Sequence, residues 1–193
     1  TIAKNPNITE VHIVSALHPE KDFSYYVDIV KSVKAFLPKI HLQAFTAVEI
    51  VHFAEISGKT IREVLQILKD AGLDSLPGGG AEILDDGIRQ KICPKKASSA
   101  QWIETIKTAH HLGIPTNASI MYGHIETIRQ RLQHLITLRD IQDETGGFQA
   151  FISFPFHPGN TELHTLKRVS SWEDLKMLAI ERLVLDNFNH IKA

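Results

Sequence analysis

The sequence is poor in the features that would make its function obvious. It holds one cysteine, Cys93, in 193 residues. An intramolecular disulfide is therefore impossible, and so is a multi-thiolate metal or iron–sulfur site built by this chain alone. No apolar run approaches the ~18–20 residues that span a bilayer, and no secretory signal is visible. A reducing, cytoplasmic setting is the expectation. Neither sign of charge dominates: 21 Lys and Arg face 22 Asp and Glu, a net charge of −1. A general nucleic-acid binder needs a cluster of cations to release counterions, and that class is disfavoured. The serine nucleophile elbow, the His-Glu-x-x-His zinc motif and the P-loop are all missing.

What remains is ordinary globular material, 43% hydrophobic and 22% charged, with no repeat, low-complexity tract or dividing linker. The length suits one domain over residues 1–193. The chain begins at Thr1 in what reads like a loop, so a piece of a longer protein is expected.

The apolar pattern alternates between strand-like runs and helical spacing. Val11–Ala16 reads as a strand. Asp22 then caps a helix that Pro38 stops. Ile40–Phe45 is the next strand. Thr46 with Glu49, and Thr60 with Glu63, form capping boxes for two helices ending near Gly58 and Gly72. Leu73–Leu76 is a short strand, and Ala81-Glu82-Ile83 reads as a helix start. Ser98 with Gln101 caps a helix through His111. Ile114–Tyr122 contains a strand, and 126–144 is a long helix with Leu132, Leu135, Ile136, Leu138 and Ile141 near one side. Phe148–Phe154 is a strand, Ser171 with Asp174 opens a helix, and Ile191 begins a last strand. About six strands alternating with helices predict a parallel sheet, either doubly wound or part of a barrel.

In such folds chemistry gathers where strands end. Ser15-Ala16-Leu17-His18 follows the first strand; it suits a close ligand, but taken alone an ordinary tight turn is the commoner reading. Glu49 is explained by its capping box. Gln43 has a direction that depends on register. Gly78-Gly79-Gly80 precedes a predicted helix and would expose amides to an anion, or simply turn the chain. His124 and Glu126 are too close in sequence to share a helix face, yet can converge from a loop. His18, His124 and His157 each follow a strand, as a metal hydrolase would require. Surface or hydrogen-bonding histidines are the commoner explanation. Cys93 before Pro94 reads as an inert thiol.

Four segments are then familiar together: LPGGGAEILDDGIRQKICPKK (76–96), TNASIMYGHIET (116–127), LRDIQDETGGFQAFI (138–152) and FHPGNTEL (156–163). They resemble the aminofutalosine synthase family, radical S-adenosylmethionine enzymes of the futalosine route to menaquinone. Related families are the dehypoxanthine futalosine cyclases and the deazaflavin-forming synthases. Thr46-Ala47-Val48-Glu49 and His157 resemble the synthase rather than the cyclase. The likeness runs over essentially the whole chain.

The resemblance implies a partial (βα)6 barrel of the radical S-adenosylmethionine type, about strands 2 to 7, lacking its first strand. It implies S-adenosylmethionine contacts at Ser15 and Ala16 (glycines in the family), Ser75, Met121, Tyr122, Gly123, Glu126 and Phe151. His18, Gln43, Glu82 and His157 become substrate candidates. The complete enzyme would cleave S-adenosylmethionine at a 4Fe–4S cluster. It would join the 5′-deoxyadenosyl group to 3-(1-carboxyvinyloxy)benzoate, drawing electrons from a flavodoxin or ferredoxin. Neither nucleic acid nor membrane is an expected partner. The family's Cys-x-x-x-Cys-x-x-Cys loop is absent from this chain, which by itself should not cleave S-adenosylmethionine and holds no metal ligands. Arg89, Arg139 and Lys167 are open as partners for the substrate carboxylate. The cyclase, a metal hydrolase on the histidines, and a non-catalytic barrel remnant stay as alternatives.

Overall fold

The computed structural model describes residues 7–192. In chain order its elements are β1 (Glu10–Ile13), α1 (Phe23–Phe36), β2 (His41–Ala44), α2 (Ala47–Ser57), α3 (Ile61–Ala71), α4 (Asp86–Ile92) and α5 (Ser99–His111). They continue with β3 (Thr116–Tyr122), α6 (Ile128–Thr145), β4 (Phe148–Pro155), α7 (Ser171–Val184) and β5 (Ile191–Lys192). β1 pairs with β2 in parallel, Glu10 opposite His41 and Ile13 opposite Ala44. Single bridges carry the pairing onward, from Gln43 to Ser75 and from Leu76 to Thr116. β3, β4 and β5 complete the series, again parallel. Neighbours therefore follow chain order with helices between them. A doubly wound sheet reverses direction at a switch point; this one does not, so it is a portion of a barrel wall.

Two apolar clusters lie between this wall and the outer helices. One gathers Leu42, Ala44 and Leu76 with Tyr26 and Val30 of α1, Phe53 of α2 and Leu68 of α3. The other gathers Ala118, Ile120 and Phe151 with Ile106 of α5, Leu138 of α6 and Met177 of α7. Each of the fully buried Val, Leu, Ile, Phe and Met side chains contributes roughly 1.5–3 kcal/mol. Because strand side chains alternate faces, the residues between these turn to the concave side: His41, Gln43, Asn117, Ser119, Met121, Ile152 and Phe154. Sequence alternation thus separates a greasy outer face from an inner one that is polar on β2 and the first part of β3 and apolar at Met121, Ile152 and Phe154.

The caps at Asp22, Thr46, Thr60 and Ser98 form as their sequence spacing predicts. Three expectations are corrected. Ala81-Glu82-Ile83 starts no helix: Glu82 sits at φ +47, outside helical space, and α4 begins at Asp86 with Asp85 as its cap. The last long helix is capped by Ser170 with Glu173, one residue before the Ser171–Asp174 pair. Glu has the reach to return to the cap amide, which gives the Ser170 frame both halves of the box. On α6 the buried stripe is His134, Leu135, Leu138 and Ile141, while Ile136 is exposed.

Candidate active site

The inner face carries a polar network near its centre. Ser75 is fully buried. Its hydroxyl accepts the Gln43 side-chain amide at 3.1 Å and lies 2.7 Å from His41 Nε2. On the neighbouring strand, Glu10 and His12 pair with each other. Register sets them opposite His41 and Gln43. Among the described residues, neither Gln43 Oε1 nor the Asn117 carboxamide has a hydrogen-bond partner. A barrel interior filled for stability would be apolar here. This one is suited to a polar guest.

The triple glycine has a structural cause that sequence alone leaves open. Segment 76–82 runs along β3: Leu76 accepts the Asn117 amide, Gly78 accepts the Ser119 hydroxyl, and Glu82 accepts the Met121 amide. A Cβ on Gly78 would lie 2.7 Å from the Asn117 carbonyl oxygen. Gly80, at φ +84, is pressed against Val48. These glycines serve close backbone packing, and no helix N-terminus follows directly. Arg89 holds the loop from behind. Its guanidinium, 2% exposed, donates to the carbonyls of Gly80, Ala81, Ile83 and Ala97. His134 joins the same loop to β3, its Nδ1 accepting from the Leu84 amide and its Nε2 facing the Ser119 carbonyl. Burial keeps this ring neutral, lowering it to about 3. Neither role was foreseen. The visible signal was a single Arg and a single His on otherwise apolar helix faces.

The Gly123–Glu126 loop closes on itself. The Glu126 carboxylate accepts the Gly123 and His124 amides at 2.5 and 2.8 Å and the Arg131 guanidinium at 2.6 Å. It also lies 2.9 Å from His124 Nδ1. Burial would raise this carboxyl, but the His124 ring and the Gly123 amide outweigh it and hold it down to about 2. The two residues converge as the loop reading allowed, and for loop closure. Tyr122 and Phe151 are corrected in direction. The Tyr122 hydroxyl donates to Asp174 on α7, and Phe151 packs edge-on against Phe188. Both side chains lie on the outer face, turned away from a ligand inside.

After β1, the Ser15 amide and hydroxyl donate to Glu49 Oε1, while Glu49 Oε2 accepts the Thr46 amide and hydroxyl. Glu49 is thus more than a cap: it ties the turn of β1 to the start of α2. Ala16 and His18 are exposed, and His18 Nδ1 accepts the Glu20 amide of its own loop. His157 is exposed on the loop after β4. Among the described residues no group of three or more His, Cys, Asp or Glu side chains is placed to hold a metal ion. No described helix is long and apolar enough to cross a membrane.

At the lip of the inner face, Glu82, Met121 and the turn after α4 border an open cleft of about 600 Å³. Glu82 meets Lys96 there at 2.5 Å. The cleft and the polar network together form the candidate site.

A sequence profile of the radical SAM superfamily matches residues 4–138. The chain belongs to the radical SAM superfamily. Over 191 residues it is 49% identical to aminodeoxyfutalosine synthase of Thermus thermophilus, covering 97% of this chain and 51% of that protein. Over 178 residues it is 49% identical to 5-amino-6-(D-ribitylamino)uracil–L-tyrosine 4-hydroxyphenyl transferase of Archaeoglobus fulgidus, covering 92% and 52%. The chain spans about half the length of these curated relatives. The crystal structure of methylornithine synthase superposes with a TM-score of 0.72 at 16% identity, over 98% of this chain and 51% of that one, a likeness of fold. The residues present do not fit an iron–sulfur cluster, because Cys93 is the one thiol in the sequence. The inner face does fit a polar nucleoside, through the free Gln43 and Asn117 groups.

Proposed function

We propose that this chain forms most of the binding cup of an aminofutalosine synthase, which joins the 5′-deoxyadenosyl group of S-adenosylmethionine to 3-(1-carboxyvinyloxy)benzoate with decarboxylation. The observation that carries the reading is 49% identity to the Thermus thermophilus synthase over nearly the whole chain, on a fold whose inner face carries a polar network at Gln43, Ser75 and Asn117. The cluster that initiates such chemistry lies outside these residues, so this chain alone is inactive in the reading. Its own part is to hold two substrates aligned and away from water, a proximity role. Gln43 and Asn117 offer hydrogen bonds to ribose or base, while Ser75, fully buried and engaged by His41 and Gln43, acts behind them by holding the Gln43 amide. Met121 and Gly123, at the end of β3, border the cup where the adenine would lie, by packing rather than by free backbone groups. Ser15, Ala16, His18 and His157 lie on exposed loops after their strands, where they meet whatever closes over the cup. A soluble one-electron donor such as a flavodoxin or ferredoxin is the implied partner, and the cytoplasm the implied setting.

A second reading has a specific basis: the Archaeoglobus fulgidus transferase is equally similar at 49%. Mass spectrometry of products from the full-length, cluster-loaded protein separates the two. Aminofutalosine from 3-(1-carboxyvinyloxy)benzoate supports the synthase. A 4-hydroxyphenyl-transfer product from tyrosine, or spiro-ring closure of a futalosine-type nucleoside, overturns it.

A further inference from the structure

The substrate in this reading is an aromatic acid with two carboxylates, and the residues so far described leave those charges unanswered. Of the cations that sequence suggested, Arg89 is buried against four carbonyls. Arg139 pairs with Asp186, and Lys167 does not border the cleft. Three other lysines do: Lys91, Lys95 and Lys96. Lys96 is neutralised by Glu82. Lys91 and Lys95 make no ion pair or hydrogen bond among the described residues. Across the cleft, Glu162 is the one acid likewise without a partner, so the unpaired groups sum to one positive charge.

The rest of the lining suits an aromatic ring. Ile92 and Pro94 form one apolar side, and Met121 comes from the inner face of β3, pinned by its amide to the Glu82 carbonyl. The walls are also fixed relative to each other. Arg89 bonds carbonyls on both, at Gly80–Ile83 and at Ala97 just beyond the lysines. Preorganised walls lose less freedom when a ligand arrives. We infer that this cleft receives the aromatic dicarboxylate, with Lys91 and Lys95 as the specificity-determining counter-charges and Met121 and Pro94 against the ring. The inference rests on the acidic-substrate reading above. It assigns Arg89 as a positioning residue and leaves the polar network deeper in the cup to the nucleoside.

Calorimetric titration of the full-length protein with isophthalate, a benzene ring bearing two meta carboxylates, tests the assignment without turnover. The parent is expected to bind, and more weakly as salt rises. Lys91→Gln and Lys95→Gln should each weaken binding about tenfold, and the double variant about fiftyfold or more. Both lysines are exposed, so folding is not at stake. Lys39→Gln, an exposed lysine after α1, should change nothing, and neutral isophthalamide should not bind. A parent that ignores isophthalate, or variants that bind it as the parent does, overturns the proposal. This result and the product analysis fail separately. A protein that binds isophthalate through these lysines but makes no aminofutalosine refutes the functional reading alone. One that makes aminofutalosine with both lysines neutralised and KM unchanged refutes the cleft alone.

Discussion

Two loops end neighbouring strands of the barrel wall, and each carries a glutamate after glycine. In the loop after β3, Glu126 turns inward. Its carboxylate is fully buried and answers two amides, a histidine and an arginine. In the loop after Leu76, Glu82 turns to the cleft, with its backbone at φ +47 and Lys96 as its ion-pair partner. The same residue type at the same kind of position is a fastener in one loop and a lip residue in the other. Burial and the number of donors that converge on it make the difference, and a motif does not display either.

The comparison is broken most forcefully by removing each acid. Glu126→Ala leaves Arg131 and two amides without their acceptor and should cost about 3–5 kcal/mol. Glu82→Ala should cost under about 1 kcal/mol, as for partly exposed ion pairs generally. Denaturant unfolding of the two variants measures the gap, and equal losses would refute the contrast. Next in size, Arg89→Leu should cost about 2–4 kcal/mol, since it strands carbonyls that one buried guanidinium satisfies. The same melt on an Arg89→Lys variant should recover little, because an ammonium does not span the fork.

Glycine substitutions sharpen the same contrast at a smaller scale. Gly123 lies at φ +85, and a Cβ there would meet the Val169 side chain at 2.1 Å; Gly123→Ala should cost about 2 kcal/mol. Gly79 has no positive φ, and its Cβ would lie 3.1 Å from the Thr46 methyl, so Gly79→Ala should cost under about 1 kcal/mol. Thermal melts compare them directly.

The smallest effect per step is the pH dependence. His110 and His134 are lowered by burial from 6.5 to about 4 and about 3. Below pH 6.5 the unfolded chain therefore binds two protons that the folded chain refuses. Glu181 opposes them: burial raises it from 4.5 to about 7, so the folded chain keeps its proton where the unfolded chain has lost it. Between pH 6.5 and 4.5 these groups leave a net difference of about one proton, or ~1.4 kcal/mol per pH unit lost on acidification. Below pH 4.5 Glu181 drops out and Glu126, held near 2, begins to contribute, while the folded His110 takes up its own proton near pH 4, so the slope rises to about two protons. Urea titrations across this range should show the steepening. Glu181→Gln should raise stability at pH 8 by at least about 1 kcal/mol, since one oxygen of that buried carboxylate has no partner. An unchanged slope, or no gain from the glutamine, would contradict this account.

Much of the frame was legible because its signals are local. Asp22, Thr46, Thr60 and Ser98 announce their helices by hydrogen bonds within three residues. The alternation of Leu42 and Ala44 with His41 and Gln43 marks a strand, but which way Gln43 points follows only from the register with β1 and Ser75. The triple glycine was legible as a departure from ordinary chain but not as to cause. What it accommodates is β3 at Gly78, some forty residues onward, and the start of α2 at Gly79 and Gly80. Tyr122 and Phe151 were placed by resemblance on the ligand side. Their direction follows from strand register and from partners on α7 and at Phe188, which no local pattern encodes. The cleft lysines were overlooked for a similar reason: Lys91 and Lys95 look like solvated charge until Met121 and Glu162 are seen opposite.

One carboxylate couples two distant parts of the cup. Glu49 gives one oxygen to the turn after β1 and the other to the first residue of the α2 cap. Ser15 and the threonine amide 31 positions away thus share a single acceptor, which holds the two strand ends to one another like jaws on a common pin.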